Sequence, residues 1–318
     1  MMTPLKPGDE IRVIAPSRSQ GSGKSRQYER AQQRLESLGY KITFSKYTKS
    51  KFHLGTATAE QRASDFNSAF ADKNVKAVMA IHGGWSANEI LPLIDWQVVS
   101  ATPKPLFGFS DITVLLNSIY AKTGNIGYLA PNFATLGSMT SWQYTLGNLN
   151  NVLTQQSPLS LTKSKEWGAS KADRFKTKAW KVLSEGEAEA TLLGGNLGTL
   201  YLLQGTEYQP TFDKPFIFAL EDDDEAGKYT AKEVSRRFES LLQLPNFRQN
   251  MCGLIIGRFQ PGSKVSERDI ANIVASKDLG NIPIISGVDF GHTLPMVTLP
   301  IGGTIGLKTE PRASITIL

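Results

Sequence analysis

In its first half the chain alternates solid apolar runs with stretches of helical spacing. Ile11-Arg12-Val13-Ile14-Ala15 is stopped by Pro16, and further runs cover 40–44, 77–81 and 105–107. A short apolar run bounded by turn residues reads as a strand buried on both faces. Between the runs, 28–38 carries apolar residues three and four apart and ends at Gly39, a good residue just past a helix, and 59–70 and a segment starting near Asn88 also read as helices. Strands alternating with helices predict an α/β domain with a doubly wound parallel sheet, whose ligands sit at the carboxyl ends of its strands.

The pattern changes further on. Short runs at 188–192, 216–220, 253–256, 283–285, 296–299 and 314–318, separated by glycine turns, predict a β-rich C-terminal domain, interrupted by helical segments at 197–203 and 232–243. Between the halves, Lys163, Lys165, Lys171, Arg174, Lys176, Lys178 and Lys181 surround Trp167 and Trp180 with little periodicity. The expected division is an N-terminal α/β domain over 1–160, a linker and substrate loop over 161–182, and the β-rich domain over 183–318.

Composition adds bounds rather than detail. The 318 residues suffice for two cores, and 40% hydrophobic with 20% charged residues is an ordinary globular balance. The net charge of +6, from 35 basic against 29 acidic residues, is too mild and dispersed for a nucleic-acid partner. Cys252 is the one cysteine, so no internal disulfide forms, and its flanks Met251, Leu254 and Ile255 suggest a buried thiol. No membrane-length apolar stretch and no signal-like N-terminal run stand in the sequence, which predicts a cytoplasmic protein.

Candidate chemistry concentrates at strand ends. Gly21-Ser22-Gly23-Lys24-Ser25 resembles the end of a P-loop, but that motif needs glycine where Arg18 stands. The stretch Pro105-Leu106-Phe107-Gly108-Phe109-Ser110-Asp111 puts a serine on a strand-to-helix turn, where a nucleophile is lifted clear of the sheet and the helix N-terminus favours an oxyanion. Ser110 reads equally as a helix N-cap, because the second glycine of Gly-x-Ser-x-Gly is missing. His82-Gly83-Gly84 ends another strand, and its paired glycines allow the Gly84 amide to join that of Asp111 as an oxyanion donor.

A serine needs a base, and the histidines are His53, His82 and His292. His292 follows a strand directly, the expected place for a catalytic loop residue, whereas His53 lies in a polar loop. The apolar strand Phe216-Ile217-Phe218-Ala219-Leu220 ends in Glu221-Asp222-Asp223-Asp224-Glu225, and Glu221, held rigidly at its tip, suits orienting a histidine ring. A solvated loop or a divalent-metal site remain open for the acids after it.

The chain resembles the LD-carboxypeptidase family of serine peptidases, and within it the microcin self-immunity branch. The resemblance rests on Lys6-Pro7-Gly8-Asp9, Ile14-Ala15-Pro16-Ser17, Arg62-Ala63-Ser64-Asp65, Gly83-Gly84, Leu93-Ile94-Asp95, Pro103-Lys104, Gly108-Phe109-Ser110-Asp111-Ile112-Thr113, Gly194-Gly195-Asn196-Leu197, Gly205-Thr206, Glu221-Asp222, Gly291-His292 and Leu299-Pro300-Ile301-Gly302. It implies a Ser110, Glu221, His292 triad, oxyanion donors at Gly84 and Asp111, no metal or cofactor, a homodimer, and a barrel-like swivelling C-terminal domain. The implied reaction is cleavage, through an acyl-enzyme, of the C-terminal L-D amide of a small peptide-like muropeptide. The microcin branch implies an aminoacyl-nucleotide substrate instead, with Trp167 stacked on adenine and Asn196, beside Gly83 and Glu225, among its contacts. His82 stands where typical carboxypeptidases carry an arginine, and Glu225 where the microcin peptidase carries a lysine. A non-catalytic muropeptide- or nucleotide-binding protein, and a metal-dependent hydrolase built on the 221–225 acids, are the other readings.

Overall fold

Ile11, Val13 and Ile14 have no solvent exposure, as expected of a central strand covered on both faces. In the computed structural model, which describes residues 3–20, 25–154, 158–168, 175–177 and 179–318, they belong to β1 (Glu10–Ile14). Residues 21–24 of the glycine-lysine run, and Lys171, Arg174 and Lys178 of the basic segment, lie outside the described residues. β1 pairs in parallel with β2 (Lys41–Phe44) on one side and β3 (Val75–Ala80) on the other. β4 (Leu106–Gly108) and β5 (Gly127–Leu129) extend the sheet in parallel. The chain order therefore reverses between β1 and β3, which opens a crevice beyond their carboxyl ends. Ser17, Gly83 and Ser110 all lie just past such ends.

The second sheet has eight strands: β6 (Leu159–Ser160), β9 (Lys181–Ser184), β10 (Glu187–Asn196), β11 (Phe216–Glu221), β12 (Met251–Gly257), β13 (Ile284–Val288), β15 (Thr304–Lys308) and β16 (Ser314–Ile317). β7 (Glu166–Trp167) and β8 (Phe175–Lys176) form a separate pair. The middle of the large sheet, β10 to β13, is parallel, so Asn196 and Glu221 finish side by side at carboxyl ends. Among the described residues its pairings run from β6 to β9 without closing into a barrel. Helix Thr230–Leu242 covers it with Val234, Phe238, Leu241 and Leu242, and the Phe218 and Phe238 rings stack at 5.9 Å.

Three elements differ from the sequence reading. The segment near Asn88 is helical as expected, but as a 3₁₀ helix, Ala87–Leu93, that contains Pro92. The strand expected at 296–299 is displaced to β14 (Leu299–Ile301), which crosses back and pairs antiparallel with β5 at the edge of the first sheet. Apolar patterning marks a buried strand but not the sheet that takes it. The stretch taken as linker contains β7, β8 and the start of the edge strand β9. Cys252 is half-buried rather than buried, and burial pushes its thiol pKa up. Among the described residues no helix is long and apolar enough to cross a membrane.

The stretch before β9 is anchored through Asp289, which is fully buried. Its carboxylate accepts from Ser164 Oγ (2.5 Å), Ser164 N (3.1 Å), Trp180 Nε1 (3.2 Å) and Arg258 Nε (3.1 Å). Asp289→Ala strands the nearly buried Arg258 guanidinium and the other donors, and breaking such a pair costs about 3–5 kcal/mol. A lowered urea midpoint at unchanged slope is the expected reading; an unchanged midpoint would show that solvent replaces the carboxylate.

Candidate active site

β4 delivers Phe109 in extended conformation, and the chain then turns sharply at Ser110, whose φ of +64° is left-handed for a residue with a Cβ. That conformation is costly and persists only where surrounding contacts over-determine it. The crowding is specific: a Cβ on Gly83 would lie 2.8 Å from Ser110 Cβ, and one on Gly84 would lie 2.3 Å from Ser17 Oγ. Gly83 thus lets the loop after β3 approach the one after β4, and Gly84 lets it approach the one after β1.

The second sheet supplies the partners. His292, in the loop after β13, places Nε2 2.9 Å from Ser110 Oγ and Nδ1 2.7 Å from Glu221 Oε2. Glu221 is fully buried at the tip of β11. Phe109 packs edge-on against the imidazole at 5.2 Å. Burial works against a charged His292, but the Glu221 carboxylate outweighs it, helped by Asp223 and Asp222, and raises the ring's pKa to about 9. Asp222 rises to about 7, from burial first and then from the neighbouring Glu221 and Asp223 charges. A serine, imidazole and carboxylate in this line can pass the serine proton to the ring and stabilise the resulting imidazolium.

What brings the two halves together is the helix after Ser110, Thr113–Thr123. Thr113 Oγ1 accepts from Asn196 N at 3.1 Å, while Asn117 exchanges two hydrogen bonds with the Gly194 backbone, at 2.9 and 3.1 Å. A buried asparagine inside an apolar helix was the sequence signal for this docking, and reading the helix for hydrophobicity alone passes it over.

Ser110 opens into a cleft of about 630 Å³ that also includes Gly83, Gly84, Asp111, Asn196 and Glu225 in its lining. The mouth is bridged between the two halves, because Trp85 Nε1 donates to Glu225 Oε1 at 2.7 Å. The Arg18 guanidinium sits 6.0 Å from the Trp85 ring. Asn196 lines the cleft but is committed: it caps the helix start at Thr199 N (2.9 Å) and donates to Asp222 (3.3 Å). His82 lies in the same cleft with Nε2 2.6 Å from the Tyr28 hydroxyl. Burial, with Arg18 adding, lowers its pKa to about 4, so it is neutral near pH 7.

Trp167 is not in this cleft. It lines a separate cavity of about 540 Å³, packed on Phe175 at 4.9 Å with the Arg258 guanidinium 5.4 Å from its ring. Gly168 nevertheless pairs with Leu294, two residues past His292, so this segment touches the histidine loop. His53 is in an exposed turn bridged to Thr56, outside the cleft. Among the described residues no three His, Cys, Asp or Glu side chains converge as a metal site, the 221–225 acids included.

Models of the LD-carboxypeptidase N-terminal and C-terminal domains match residues 11–130 and 189–307. The chain belongs to the LD-carboxypeptidase family. Within the family it is similar to the putative carboxypeptidase YocD of Bacillus subtilis, 37% identical over 96% of this chain and 94% of that one. It is also 28% identical to the microcin C7 self-immunity protein MccF of Escherichia coli, over 98% of this chain and 94% of that protein. Among solved structures, an MccF-like protein from Bacillus anthracis superposes with a TM-score of 0.95 at 37% identity, covering 100% of this chain and 98% of that one. MccF in complex with glutamyl sulfamoyl guanosine gives 0.87 at 26% identity, with the same coverage of both chains. Ser110 falls in the stretch matched by the N-terminal LD-carboxypeptidase domain, and Glu221 and His292 in that matched by the C-terminal one.

Proposed function

We propose that this LD-carboxypeptidase family member is a serine hydrolase that cleaves the C-terminal amide of a small peptide-like substrate, an L-D bond of a muropeptide, through an acyl-enzyme. The observation that carries this reading is the unbroken hydrogen-bonded line from Ser110 through His292 to the buried Glu221. Ser110 Oγ attacks the carbonyl carbon as His292 Nε2 takes its proton. The tetrahedral oxyanion is held by the backbone N–H groups of Gly84 and Asp111. His292 then protonates the departing amine, and water repeats the sequence to release the acid. Glu221 fixes the ring's orientation and stabilises its charged form. An N-cap serine alone needs neither a left-handed backbone nor a histidine 2.9 Å from its hydroxyl.

The second reading, hydrolysis of an aminoacyl nucleotide, draws on the likeness to MccF, which has been solved with glutamyl sulfamoyl guanosine. Two features favour the peptide. Trp167, the residue that would stack on a base, faces another cavity, and Glu225 sets a carboxylate at the cleft mouth, where a phosphate would meet repulsion. Mass spectrometry after incubation with a tetrapeptide muropeptide, and separately with an aminoacyl-adenylate microcin, decides between them. Loss of the terminal D-alanine from the first is the expected result. Cleavage of the second alone transfers the protein to antibiotic inactivation, and cleavage of neither, with no fluorophosphonate labelling of Ser110, leaves a binding protein.

A further inference from the structure

The residue after Ser110 has a side chain that the mechanism above does not use. Asp111 is 2% exposed, and a single oxygen of its carboxylate, Oδ2, accepts from three groups on two other loops. These are Ser17 Oγ at 2.5 Å, Ser86 N at 2.8 Å and Ala87 N at 2.8 Å. From the other side, the buried Arg62 donates to Ser86 O at 2.7 Å and Pro16 O at 2.8 Å. The segment leaving Gly84 is therefore gripped through both its amides and its carbonyl. Ser17, held by Asp111, in turn occupies the space where a Gly84 Cβ would be.

Such a grip has a physical reason. A peptide flanked by two glycines rotates at little energetic cost, because neither residue has a Cβ to penalise the alternative φ and ψ. Gly84, with a φ of +154°, has no intrinsic preference for the conformation it adopts. An amide that must point at a developing oxyanion contributes only if it is held in place before the charge appears. Burying a carboxylate is expensive, and burial raises the Asp111 pKa, with the three donors working against it in part.

We propose that the Asp111 carboxylate is the positioning residue of the oxyanion site: it locks the segment after Gly84 so that the Gly84 N–H stays in register with the N–H of Asp111 itself. One residue would then supply one donor through its backbone and hold the other through its side chain. This rests on the hydrolase reading, and the test separates the two.

The probes are p-nitrophenyl acetate and its thiono analogue, whose sulfur is a poor acceptor for oxyanion donors. Asp111→Ala keeps the backbone N–H but frees the loop. It is expected to lower kcat on the oxygen ester by roughly 10²–10³-fold, the cost of losing one donor, with KM changed by less than about threefold. Hydrolysis of the thiono ester should fall far less, so the oxygen-to-sulfur rate ratio collapses. Ser17→Ala, which removes the hydrogen bond to Asp111 and a long one from Ser86 N (3.5 Å) but leaves both amide bonds to the carboxylate, should shift the ratio the same way by a smaller amount. Asp111→Asn, which keeps an oxygen acceptor, should fall between wild type and alanine. These two carry the test if the alanine variant does not fold. An oxygen-to-sulfur ratio unchanged in every folded variant, whatever the overall rate, overturns the proposal and leaves Asp111 a structural residue. A wild-type protein whose Ser110 neither turns over the ester nor reacts with a fluorophosphonate overturns the hydrolase reading itself.

Discussion

Ser110→Ala is expected to reduce turnover by roughly 10⁶-fold while leaving the protein folded, a loss of the size seen when the nucleophile of a serine hydrolase is removed. The change deletes one oxygen whose described hydrogen-bond partner is His292 Nε2. Alanine keeps the Cβ, so it meets the same cost at a φ of +64° and the same contact with Gly83. The unfolding free energy from urea titration should therefore change by no more than about 0.5 kcal/mol, as for a neutral substitution. Release of D-alanine from a tetrapeptide muropeptide, followed by mass spectrometry, reads the activity. An alanine variant that still turns over would remove Ser110 from the mechanism. If activity and urea midpoint were lost together, the experiment would be repeated with Ser110→Cys, which restores a nucleophile at the same place.

The parts of this site that could be read in the sequence are those where local chemistry and strand ends coincide. The apolar run before Ser110, the glycine pair and the abrupt change from Leu220 to Glu221 each announce a strand carboxyl end, and each end carries a group of the proposed site. The same rule sets His53 aside but does not separate His292 from His82, which also follows a strand end. What stayed hidden is everything that depends on pairing between distant segments. The return of β14 to the first sheet has no local mark, since Leu299 and Ile301 are equally apolar whichever sheet accepts them. The docking through Asn117 and Thr113 rests on two polar residues that look like imperfections in an otherwise apolar helix. Trp167 was assigned to the substrate cleft through likeness alone, whereas its position depends on Phe175 and Arg258, one eight residues away and the other in a different strand region. Ser17 and Arg62 belong to the stretches that carry the family likeness, but their part in holding the 84–87 segment is a matter of side-chain geometry.

Glu221→Gln separates the orienting role of the carboxylate from its charge. The amide preserves shape and can still accept at one oxygen, but the loss of charge and the competing tautomer should lower kcat about 10⁴-fold. Its second signature is in the pH profile. In the native protein the Glu221 charge raises His292 to about 9 against the opposing effect of burial. The proton-accepting form of the ring is needed, so kcat/KM is expected to climb with pH until it passes that value, and to fall about tenfold per unit below it. With that charge gone, burial, which favours the neutral ring, is opposed only by Asp223 and Asp222, so the residual activity of the glutamine variant should have its acid limb at lower pH. An unshifted limb would assign the titration to another group, Asp222 near 7 being the nearest candidate. Stability runs the opposite way. A histidine whose pKa is raised on folding contributes stability that is fully present below its unfolded value of 6.5 and is lost as pH rises through about 9. The His292–Glu221 pair therefore gives up stability over the same pH range in which it gains the ability to accept the serine proton. In the glutamine variant this pH-dependent contribution should disappear from the urea midpoint along with the shift of the acid limb.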